Sequence, residues 1–314
     1  MTALRILEPG LLTTVQDLGR PGYLRYGIPP SGPMDRGAFI LANRLVGNPD
    51  AAAGLECTLI GPRLEPGAEC VISVTGAEMP VTVNNQEVPR WTAVRLKAGD
   101  VLRLGQAQRG VRASLAVSGG IDVPEVLGSR STYLRGQLGG LEGRQLRKGD
   151  LLRLGRPEVS LEAVEGRQIR RECIPSYSEE PEVRVILGPQ ADRFTADGIE
   201  AFLEGPYEML PQSDRMGARL RGPHIAHAWG HDIVSDGVPL GGIQVVGDGQ
   251  PIVLLADRQS TGGYTKIATV CSFDIRKVGQ VRPGQRLRFR SVSVDEAHAT
   301  LRVERACLDG AIGK

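Results

Sequence analysis

Residues 242–255 read Gly-Ile-Gln-Val-Val-Gly-Asp-Gly-Gln-Pro-Ile-Val-Leu-Leu, two short apolar runs separated by glycines and a proline. Runs of this length suit buried strands, and the polar stretch between them is typical of a turn. The pattern recurs along the chain, which contains 41 Gly and 21 Pro in 314 residues. Because a helical bundle would not tolerate so many turn residues, the sequence predicts a mainly β protein.

Working outward from residues 243–246 and 252–255, six further runs predict strands. They lie at 71–75, 81–83, 101–104, 113–117, 182–187 and 267–270. Helical patterns are few. In residues 35–46 the apolar positions follow i, i+3, i+4 and i+7, with a proline before them and Asp35 in the first turn. The segments 191–203 and 295–308 are less periodic helix candidates.

One phrase recurs three times along the chain. The copies are Lys97-Ala-Gly-Asp-Val-Leu-Arg-Leu-Gly, Lys148-Gly-Asp-Leu-Leu-Arg-Leu-Gly and Arg282-Pro-Gly-Gln-Arg-Leu-Arg-Phe. Each predicts a glycine-containing turn that leads into a strand, although such turns before strands are also common by chance. The copies are too unequally spaced for a solenoid of fixed period.

The length allows one large or two medium domains with a sizeable core, since 41% of the residues are hydrophobic. Segment 174–181 is polar, acidic and bounded by prolines, which favours a linker. We therefore expect an N-terminal lobe over 1–173 and a C-terminal lobe over 182–314.

Charge and hydropathy argue against two classes of partner. Thirty-eight Lys and Arg balance 36 Asp and Glu, leaving a net charge of +2 with no basic block suited to a nucleic-acid backbone. No stretch reaches the roughly 18 apolar residues that span a bilayer, and the N-terminus lacks a leader pattern. We expect a cytoplasmic protein that binds neither nucleic acid nor membrane.

Five scattered cysteines show no C-x-x-C pairing. We therefore expect neither a disulfide framework nor a zinc site, but buried cysteines kept reduced, with a nucleophilic cysteine as the unsupported alternative.

Charged and amide side chains are concentrated among glycines in residues 214–274. Glycines allow backbone N–H groups to approach an anionic or carbonyl ligand, while neighbouring side chains supply an acid, amides, a hydroxyl and cations. The alternative is a long hairpin whose polar residues face water. The candidates here are Arg215, Gln244, Asp257, Gln259, Thr261, Gly262, Gly263, Tyr264 and Lys266.

Familiar nucleotide and metal motifs are absent from this segment. Gly262-Gly-Tyr-Thr-Lys266 lacks Walker A spacing, and no G-x-G-x-x-G stands between a strand and a helix. His224, His227 and His231 have metal-like spacing, but a proline precedes them and Gly230 interrupts them, so we expect no metal site.

Two candidates lie in the N-terminal half. Asp35 would stand at the start of the predicted helix, where it could cap the helix or contact ligand. Arg130, within Gly128-Ser-Arg-Ser-Thr132, could clamp a carboxylate or brace a loop.

Nine stretches together resemble one known family, and they follow its order over nearly the whole chain. They are Thr14-Val-Gln-Asp-Leu-Gly-Arg-Pro-Gly22, Gly32-Pro-Met-Asp35, Ala42-Asn-Arg-Leu-Val-Gly-Asn48, Gly119-Gly-Ile-Asp122, Leu127-Gly-Ser-Arg-Ser-Thr-Tyr133, Gly139-Gly-Leu-Glu-Gly143, Asp214-Arg-Met-Gly217, Gly249-Gln-Pro-Ile252 and Thr261-Gly-Gly-Tyr-Thr-Lys-Ile-Ala-Thr269. The sequence thus resembles the family of 5-oxoprolinase C subunits, which includes KipA-type regulators and half of the carboxyltransferase domain of urea carboxylase.

The resemblance implies two cyclophilin-like β-barrel lobes with a few short helices. It also implies one chain of a hydrolase complex, inactive alone, that joins two partner chains: a B-type partner similar to KipI, and an A-type partner similar to LamB/YcsF proteins. Such a complex couples hydrolysis of ATP, with Mg, to opening of the 5-oxoproline lactam to glutamate. On this hypothesis Lys266, Arg215 or Arg130 stabilises phosphoryl charge, and Asp257 or Asp35 handles protons or a metal.

Two alternatives stay open. The chain could be a biotin-dependent carboxyltransferase component of the urea carboxylase type, with biotin as cofactor. It could instead be a KipA-like regulatory protein that binds a KipI-like partner without doing chemistry.

Overall fold

The computed structural model describes residues 2–313, and strands dominate it, which confirms the predicted mainly β fold with few helices. The chain divides into two compact units. Unit 1 contains the chain up to Arg20, Ser31–Ser176 and the chain from Cys307 onward; unit 2 contains Pro21–Pro30 and Tyr177–Ala306. The chain passes from one unit to the other four times, and one of these passages lies inside the predicted linker 174–181. The lobe bounds themselves stay a prediction.

Unit 1 contains two antiparallel sheets that share one apolar core. The six-stranded sheet has the order Leu151–Arg153, Ala3–Glu8, Arg63–Pro66, Leu102–Leu104, Val81–Val83, Gln86–Glu87. The five-stranded sheet has the order Leu12–Gln16, Gly54–Thr58, Arg109–Val117, Cys70–Glu78, Ala93–Leu96. Two further strands, Gln168–Ile169 and Ile312–Gly313, pair with each other.

Helix α1, Arg36–Leu45, covers the outer face of the five-stranded sheet. Its apolar side packs on residues such as Val71 and Ala93, so the strand Cys70–Glu78 is buried on both faces. Two hydroxyls of that strand donate to helix carbonyls: Ser73 Oγ to Ala42 O and Thr75 Oγ1 to Ala38 O, each at 2.7 Å. These bonds satisfy the buried hydroxyls of the strand.

Unit 2 is built on a closed barrel of seven strands. Around the barrel they are Glu182–Leu187, Lys266–Val270, Gly242–Val245, Pro251–Leu254, Gly217–Arg221, Pro206–Met209 and Arg286–Ser291. The first and last strands pair in parallel and close the barrel, whereas the other pairs are antiparallel. A separate two-stranded antiparallel sheet, here called the ribbon, consists of Asp232–Gly237 and Thr261–Tyr264.

The remaining helices are short except for the last. They are α2 Leu161–Val164, α3 Ala196–Glu204, α4 Ile275–Gln280 and α5 Val294–Asp309, with 3-10 turns at Leu24–Tyr26, Arg171–Cys173, Ala191–Arg193 and Ser272–Asp274. Helix α3 packs on the barrel through Phe202, whose ring stacks on Phe289 at 4.6 Å. None of the helices between residues 2 and 313 combines the length and apolar character needed to cross a bilayer.

All eight predicted strands are present, with bounds shifted by at most a few residues. The predicted helices at 35–46 and 295–308 are confirmed as α1 and α5. The candidate at 191–203 is wrong as one helix, because it is a 3-10 turn followed by α3. Thr195 separates them: its side chain accepts from Gly198 N at 3.0 Å and caps α3.

The recurring phrase forms the same turn three times, which confirms the prediction of a turn leading into a strand. Gly99, Gly149 and Gly284 all have positive φ, which glycine adopts without strain. In each copy the residue after the glycine accepts, through its side chain, a backbone N–H from three residues earlier. The bonds are Lys97 N to Asp100 Oδ2 at 2.7 Å, Arg147 N to Asp150 Oδ2 at 2.7 Å and Arg282 N to Gln285 Oε1 at 3.0 Å.

The expectation that every cysteine is unpaired is wrong for one pair. Cys173 and Cys307 form a disulfide across 134 residues of sequence. A single sequence gives no hint of such a distant partner. Cys57, Cys70 and Cys271 are free and buried, as expected, and burial raises the pKa of both Cys57 and Cys70 to about 12.

A buried carboxylate ties the barrel to α4. Asp274 accepts from Arg184 N at 2.9 Å and Nε at 2.8 Å, and lies 3.1 Å from Lys277 Nζ. Burial opposes ionisation of this carboxyl, but the Arg184 bonds and the Lys277 charge outweigh it, so the pKa of Asp274 is lowered.

Candidate functional site

The predicted site residues lie in both units. Asp35 and Arg130 belong to unit 1, and the other nine belong to unit 2. Each group is therefore described within its own unit.

Asp35 is the N-cap of α1. Its Oδ1 accepts from Ala38 N at 3.1 Å, and the residue is 2% exposed. A carboxylate at this position satisfies a free helix N–H and interacts favourably with the helix dipole. The capping alternative therefore accounts for this residue, and a chemical role for it stays a prediction.

Arg130 braces the loop that precedes it. Its Nε donates to Val123 O at 2.9 Å and its Nη1 to Glu125 Oε1 at 2.6 Å. It also lines a cavity of about 670 Å³ in unit 1, together with Asp122 and Arg153. Because its guanidinium is committed to this loop, the geometry favours the bracing alternative over a carboxylate clamp.

Arg215 and Asp257 form a buried ion pair in unit 2. The Nε to Oδ2 distance is 2.9 Å and the Nη2 to Oδ1 distance is 3.3 Å, with side chains 7% and 5% exposed. The backbone links them as well, since Asp257 N donates to Arg215 O at 2.8 Å. The pair therefore joins two chain segments, 42 residues apart, through both side chains and main chain.

Gln244 and Lys266 are partners on adjacent barrel strands, where a register shift separates Ile243 from Gln244. Partners opposite each other in antiparallel strands project from the same face, so the amide and the ammonium are neighbours. Both residues are buried, at 2% and 0% exposure. A bulge of this kind commonly re-aims a side chain next to a site.

The ribbon lies over this pair. A Cβ on Gly262 would overlap the Gln244 amide nitrogen, so this position cannot hold a side chain without displacing the amide. Lys266 Nζ lies 3.3 Å from Asp236 Oδ2 on the other ribbon strand. Gln259 donates from Nε2 to Gln244 Oε1 at 3.4 Å. The structure thus brings Gln244, Gln259, Gly262 and Lys266 together, and adds Asp236.

Three other predicted residues lie on the ribbon itself. Thr261 and Tyr264 are exposed and Gly263 is half-buried. The Tyr264 ring lies 6.1 Å from His231, which in turn lies 6.1 Å from His227. None of the three is buried, in contrast to Gln244 and Lys266.

The histidines do not form a metal centre. Within residues 2–313, no three His, Cys, Asp or Glu side chains are placed to hold a metal ion. His227 shares a hydrogen bond of 3.1 Å with Thr265 Oγ1, and burial lowers its pKa.

Sequence reasoning overlooked Arg258 and Asp236. Arg258 is 6% exposed and donates from Nε to Val238 O at 2.9 Å. Burial lowers its pKa, and no carboxylate within residues 2–313 forms an ion pair with it. Arg258 follows Asp257 directly, but a single sequence does not tell that two adjacent charged residues are both buried.

A second polar cluster, also overlooked, lies in unit 1 around Asp17. Its Oδ1 accepts from Ser129 Oγ at 2.6 Å and Ser131 Oγ at 2.7 Å, and its Oδ2 accepts from Arg130 N at 2.5 Å. Arg20 is fully buried and donates to Ser131 O. A Cβ on Gly139 would collide with Arg20 and Ser131. Three of the stretches that carry the family resemblance meet here.

The Asp17 cluster and the group around Lys266 and Gln244 differ chemically. The Asp17 cluster satisfies its own carboxylate with donors from neighbouring loops, as a structural network does. Around Lys266 and Gln244, by contrast, buried donors outnumber acceptors, since Gln244 Nε2 and Lys266 Nζ make no hydrogen bond within residues 2–313. Such a group of donors is suited to an anionic or carbonyl oxygen. The candidate site is therefore the contact between the barrel and the ribbon around Lys266 and Gln244.

Comparison with known proteins agrees with the resemblance. The carboxyltransferase domain family, subdomain A and B, matches residues 26–291. The C subunit of the 5-oxoprolinase of Escherichia coli (strain K12) is 38% identical over 296 residues, which cover 94% of this chain and 93% of that protein. A urea amidolyase of Lachancea kluyveri is 37% identical, but this chain spans only 17% of its length.

Solved structures give the same result. The crystal structure of the Kluyveromyces lactis urea carboxylase superposes with a TM-score of 0.93 at 36% sequence identity, over 98% of this chain and 29% of that one. The family suggested by the sequence stretches is thereby confirmed: the chain belongs to the carboxyltransferase domain family, subdomain A and B.

Proposed function

We propose that this chain is the C subunit of an ATP-dependent 5-oxoprolinase, a cytoplasmic complex that opens the lactam of 5-oxoproline to glutamate. The observation that carries the proposal is the 38% identity to the C subunit of such an enzyme, which extends over 93% of that protein. The chain would be inactive alone and would act with a LamB/YcsF-like A-type partner and a KipI-like B-type partner.

Within this proposal, Lys266 and Gln244 contact the substrate. Both are buried donors on one face of the barrel wall, where water competes little for a bound oxygen. Gln259 orients the Gln244 amide, because Gln259 Nε2 donates to Gln244 Oε1. Arg215 and Asp257 act as positioning residues, because each already satisfies the charge of the other.

ATP would phosphorylate the lactam oxygen, which activates the ring carbon toward water, so that the C–N bond breaks and phosphate is released. The donor groups of Lys266, Gln244 and Arg258 fit anionic oxygens, although the sequence contains no Walker A motif that would cradle a triphosphate. In this proposal the chain contributes part of an anion site, and Mg and the remaining donors come with the partner chains.

The test is to co-express the full chain with A-type and B-type partners and to measure ADP and glutamate formation with 5-oxoproline. Turnover that requires all three chains and is lost in Lys266→Ala is the expected result. Lys148→Ala is the matched control, since that lysine is exposed on the turn of unit 1 and should leave turnover unchanged. Full turnover without this chain would refute the proposal.

A carboxyltransferase is the second candidate, and the TM-score of 0.93 to the urea carboxylase favours it. Biotin would then supply the carboxyl group, and the same Lys266 and Gln244 donors would fit its oxygens. Decarboxylation of carboxybiotin in the presence of urea, with no turnover of 5-oxoproline, would select this function. Silence in both assays, with stable binding of a B-type partner, would select a KipA-like regulator.

A further inference from the structure

The ammonium of Lys266 has an unusual counter-ion. The lysine is 0% exposed, yet the carboxylate nearest to it belongs to Asp236, whose side chain is 57% exposed on the ribbon. The two groups lie 3.3 Å apart, but the ammonium makes no hydrogen bond within residues 2–313. A buried cation is thus neutralised by a group that belongs to the surface.

Beside it, Gln244 presents a second donor that is not used. Its Nε2 has no hydrogen-bond partner within residues 2–313, although the residue is 2% exposed. A buried donor left unsatisfied is destabilising, so native proteins rarely keep one. Two such donors on neighbouring strands indicate a site for a ligand with two adjacent acceptors.

The ribbon that covers this site is loosely held. It forms a two-stranded sheet of its own, and most residues of its strand Asp232–Gly237 are exposed. Isolated two-stranded hairpins are marginally stable in water. Contacts such as the one between Asp236 and Lys266 therefore stabilise the packing of the ribbon on the barrel.

We propose that Asp236 is an internal counter-ion that holds Lys266 until the carboxylate of a small ligand replaces it, while a neighbouring ligand carbonyl accepts from Gln244. The ribbon lifts as this exchange occurs. The ligand class is a small carboxylate that carries an adjacent amide or lactam carbonyl. The identity of the ligand as 5-oxoproline rests on the function proposed above, whereas the counter-ion role rests on the geometry alone.

Charge balance makes the exchange selective. An anionic ligand leaves Lys266 neutralised when Asp236 departs, so no buried charge is uncovered. A neutral ligand such as urea cannot displace the carboxylate without leaving that cation unpaired. The backbone N–H of Gly237 and then the Lys266 charge lower the pKa of Asp236, so it stays ionised and competes throughout the physiological range.

The experiment measures binding of two probes to the full-length chain, 5-oxoproline and its uncharged analogue pyrrolidin-2-one, by NMR titration. Asp236→Asn removes the competing carboxylate and is expected to bind 5-oxoproline about 3- to 10-fold more tightly. The affinity for pyrrolidin-2-one should rise less, because that ligand brings no charge that could pair with Lys266. Asp232→Asn is the matched control, because that carboxylate lies on the same strand, is 74% exposed and, among residues 2–313, forms an ion pair only with His231, at 3.4 Å.

A second measurement needs no ligand. In Asp236→Asn, the backbone amides of the strand Thr261–Tyr264 should exchange with deuterium several-fold faster than in Asp232→Asn. Unchanged exchange, or an affinity that is unchanged or weaker in Asp236→Asn for 5-oxoproline, bicarbonate and biotin alike, would overturn the counter-ion role.

The two proposals fail in different ways. If Asp236→Asn binds bicarbonate or biotin more tightly but not 5-oxoproline, the counter-ion role is supported and the oxoproline assignment is overturned. If the expected binding is found while the three-chain complex shows no ATP-dependent turnover, the function proposed above fails and the site stands.

Discussion

Replacing Asp257 by alanine tests what the buried ion pair with Arg215 does. The two side chains are 7% and 5% exposed and meet through two contacts, at 2.9 and 3.3 Å. The alanine removes the carboxylate and leaves the guanidinium in a site shielded from water. Breaking a buried pair in this way typically costs about 3–5 kcal/mol.

The same numbers predict the outcome of removing both charges. In the double variant Arg215→Met/Asp257→Leu neither charge of the pair is left, and such replacements are often neutral or stabilising. The backbone bond from Asp257 N to Arg215 O, at 2.8 Å, does not depend on either side chain. We therefore expect the double variant to regain most of the stability that Asp257→Ala loses.

Hydrogen exchange of barrel amides is the suitable assay, because it reports the stability of unit 2 without assuming that the whole chain unfolds in one step. A cost of about 3–5 kcal/mol raises exchange from the open state by on the order of 10²- to 10³-fold. Glu208→Ala is the control in the same barrel. Its pair with Arg221 is exposed, at 31% and 65%, so the loss should stay below about 1 kcal/mol.

A loss below about 1 kcal/mol in Asp257→Ala would refute this reasoning. Turnover then separates positioning from chemistry. If the stable double variant also recovers turnover in the three-chain complex, the pair only positions its neighbours. If the double variant is stable but inactive, Asp257 takes part in the reaction itself.

Three further predictions follow from single contacts. Gly262→Ala should displace the Gln244 amide and weaken ligand binding at least 10-fold, whereas Gly263→Ala, whose nearest neighbour would lie at 3.4 Å, should not; NMR titration compares the two. Because the folded pKa of Asp274 is lowered, its contribution to stability is present above about pH 4 and is lost as pH falls through that pKa. Asp274→Asn should therefore flatten the fall of melting temperature between about pH 4 and pH 2, and parallel curves would contradict this. Reductant should destabilise the wild-type protein by about 2–4 kcal/mol but not Cys307→Ser, and equal denaturation curves for wild type with and without reductant would contradict the disulfide.

The strands could be predicted because their information is local. Runs such as 182–187 alternate or stay apolar between turn residues, and the strand Glu182–Leu187 has the predicted bounds. The split at Thr195 was missed because one capping side chain outweighed the continuous helical pattern around it. Local pattern therefore predicts where elements lie better than where a helix begins.

The sequence predicted several residues of the site, but not how they are arranged. The sequence placed Gln244, Gly262 and Lys266 in one polar segment, but the register shift that makes two of them neighbours is a property of strand pairing. The partners Asp257 and Cys307 lie 42 and 134 residues from Arg215 and Cys173, and no spacing rule connects such pairs. Contacts between residues that are distant in sequence therefore cannot be predicted from one sequence.

The stretches that carry the family resemblance do two different things. In unit 1 they meet around Asp17, whose carboxylate accepts from two hydroxyls and a backbone N–H, so their residue types are required by the fold. In unit 2 the stretch Thr261–Thr269 leaves Lys266 beside donors that the fold does not satisfy. A scaffold held by the first kind of stretch can keep its shape while the ligand at the second changes, since function resides in the site rather than in the fold. On this reasoning, we expect an exchange of the residue at position 236 to change which ligand this chain binds while the barrel stays intact.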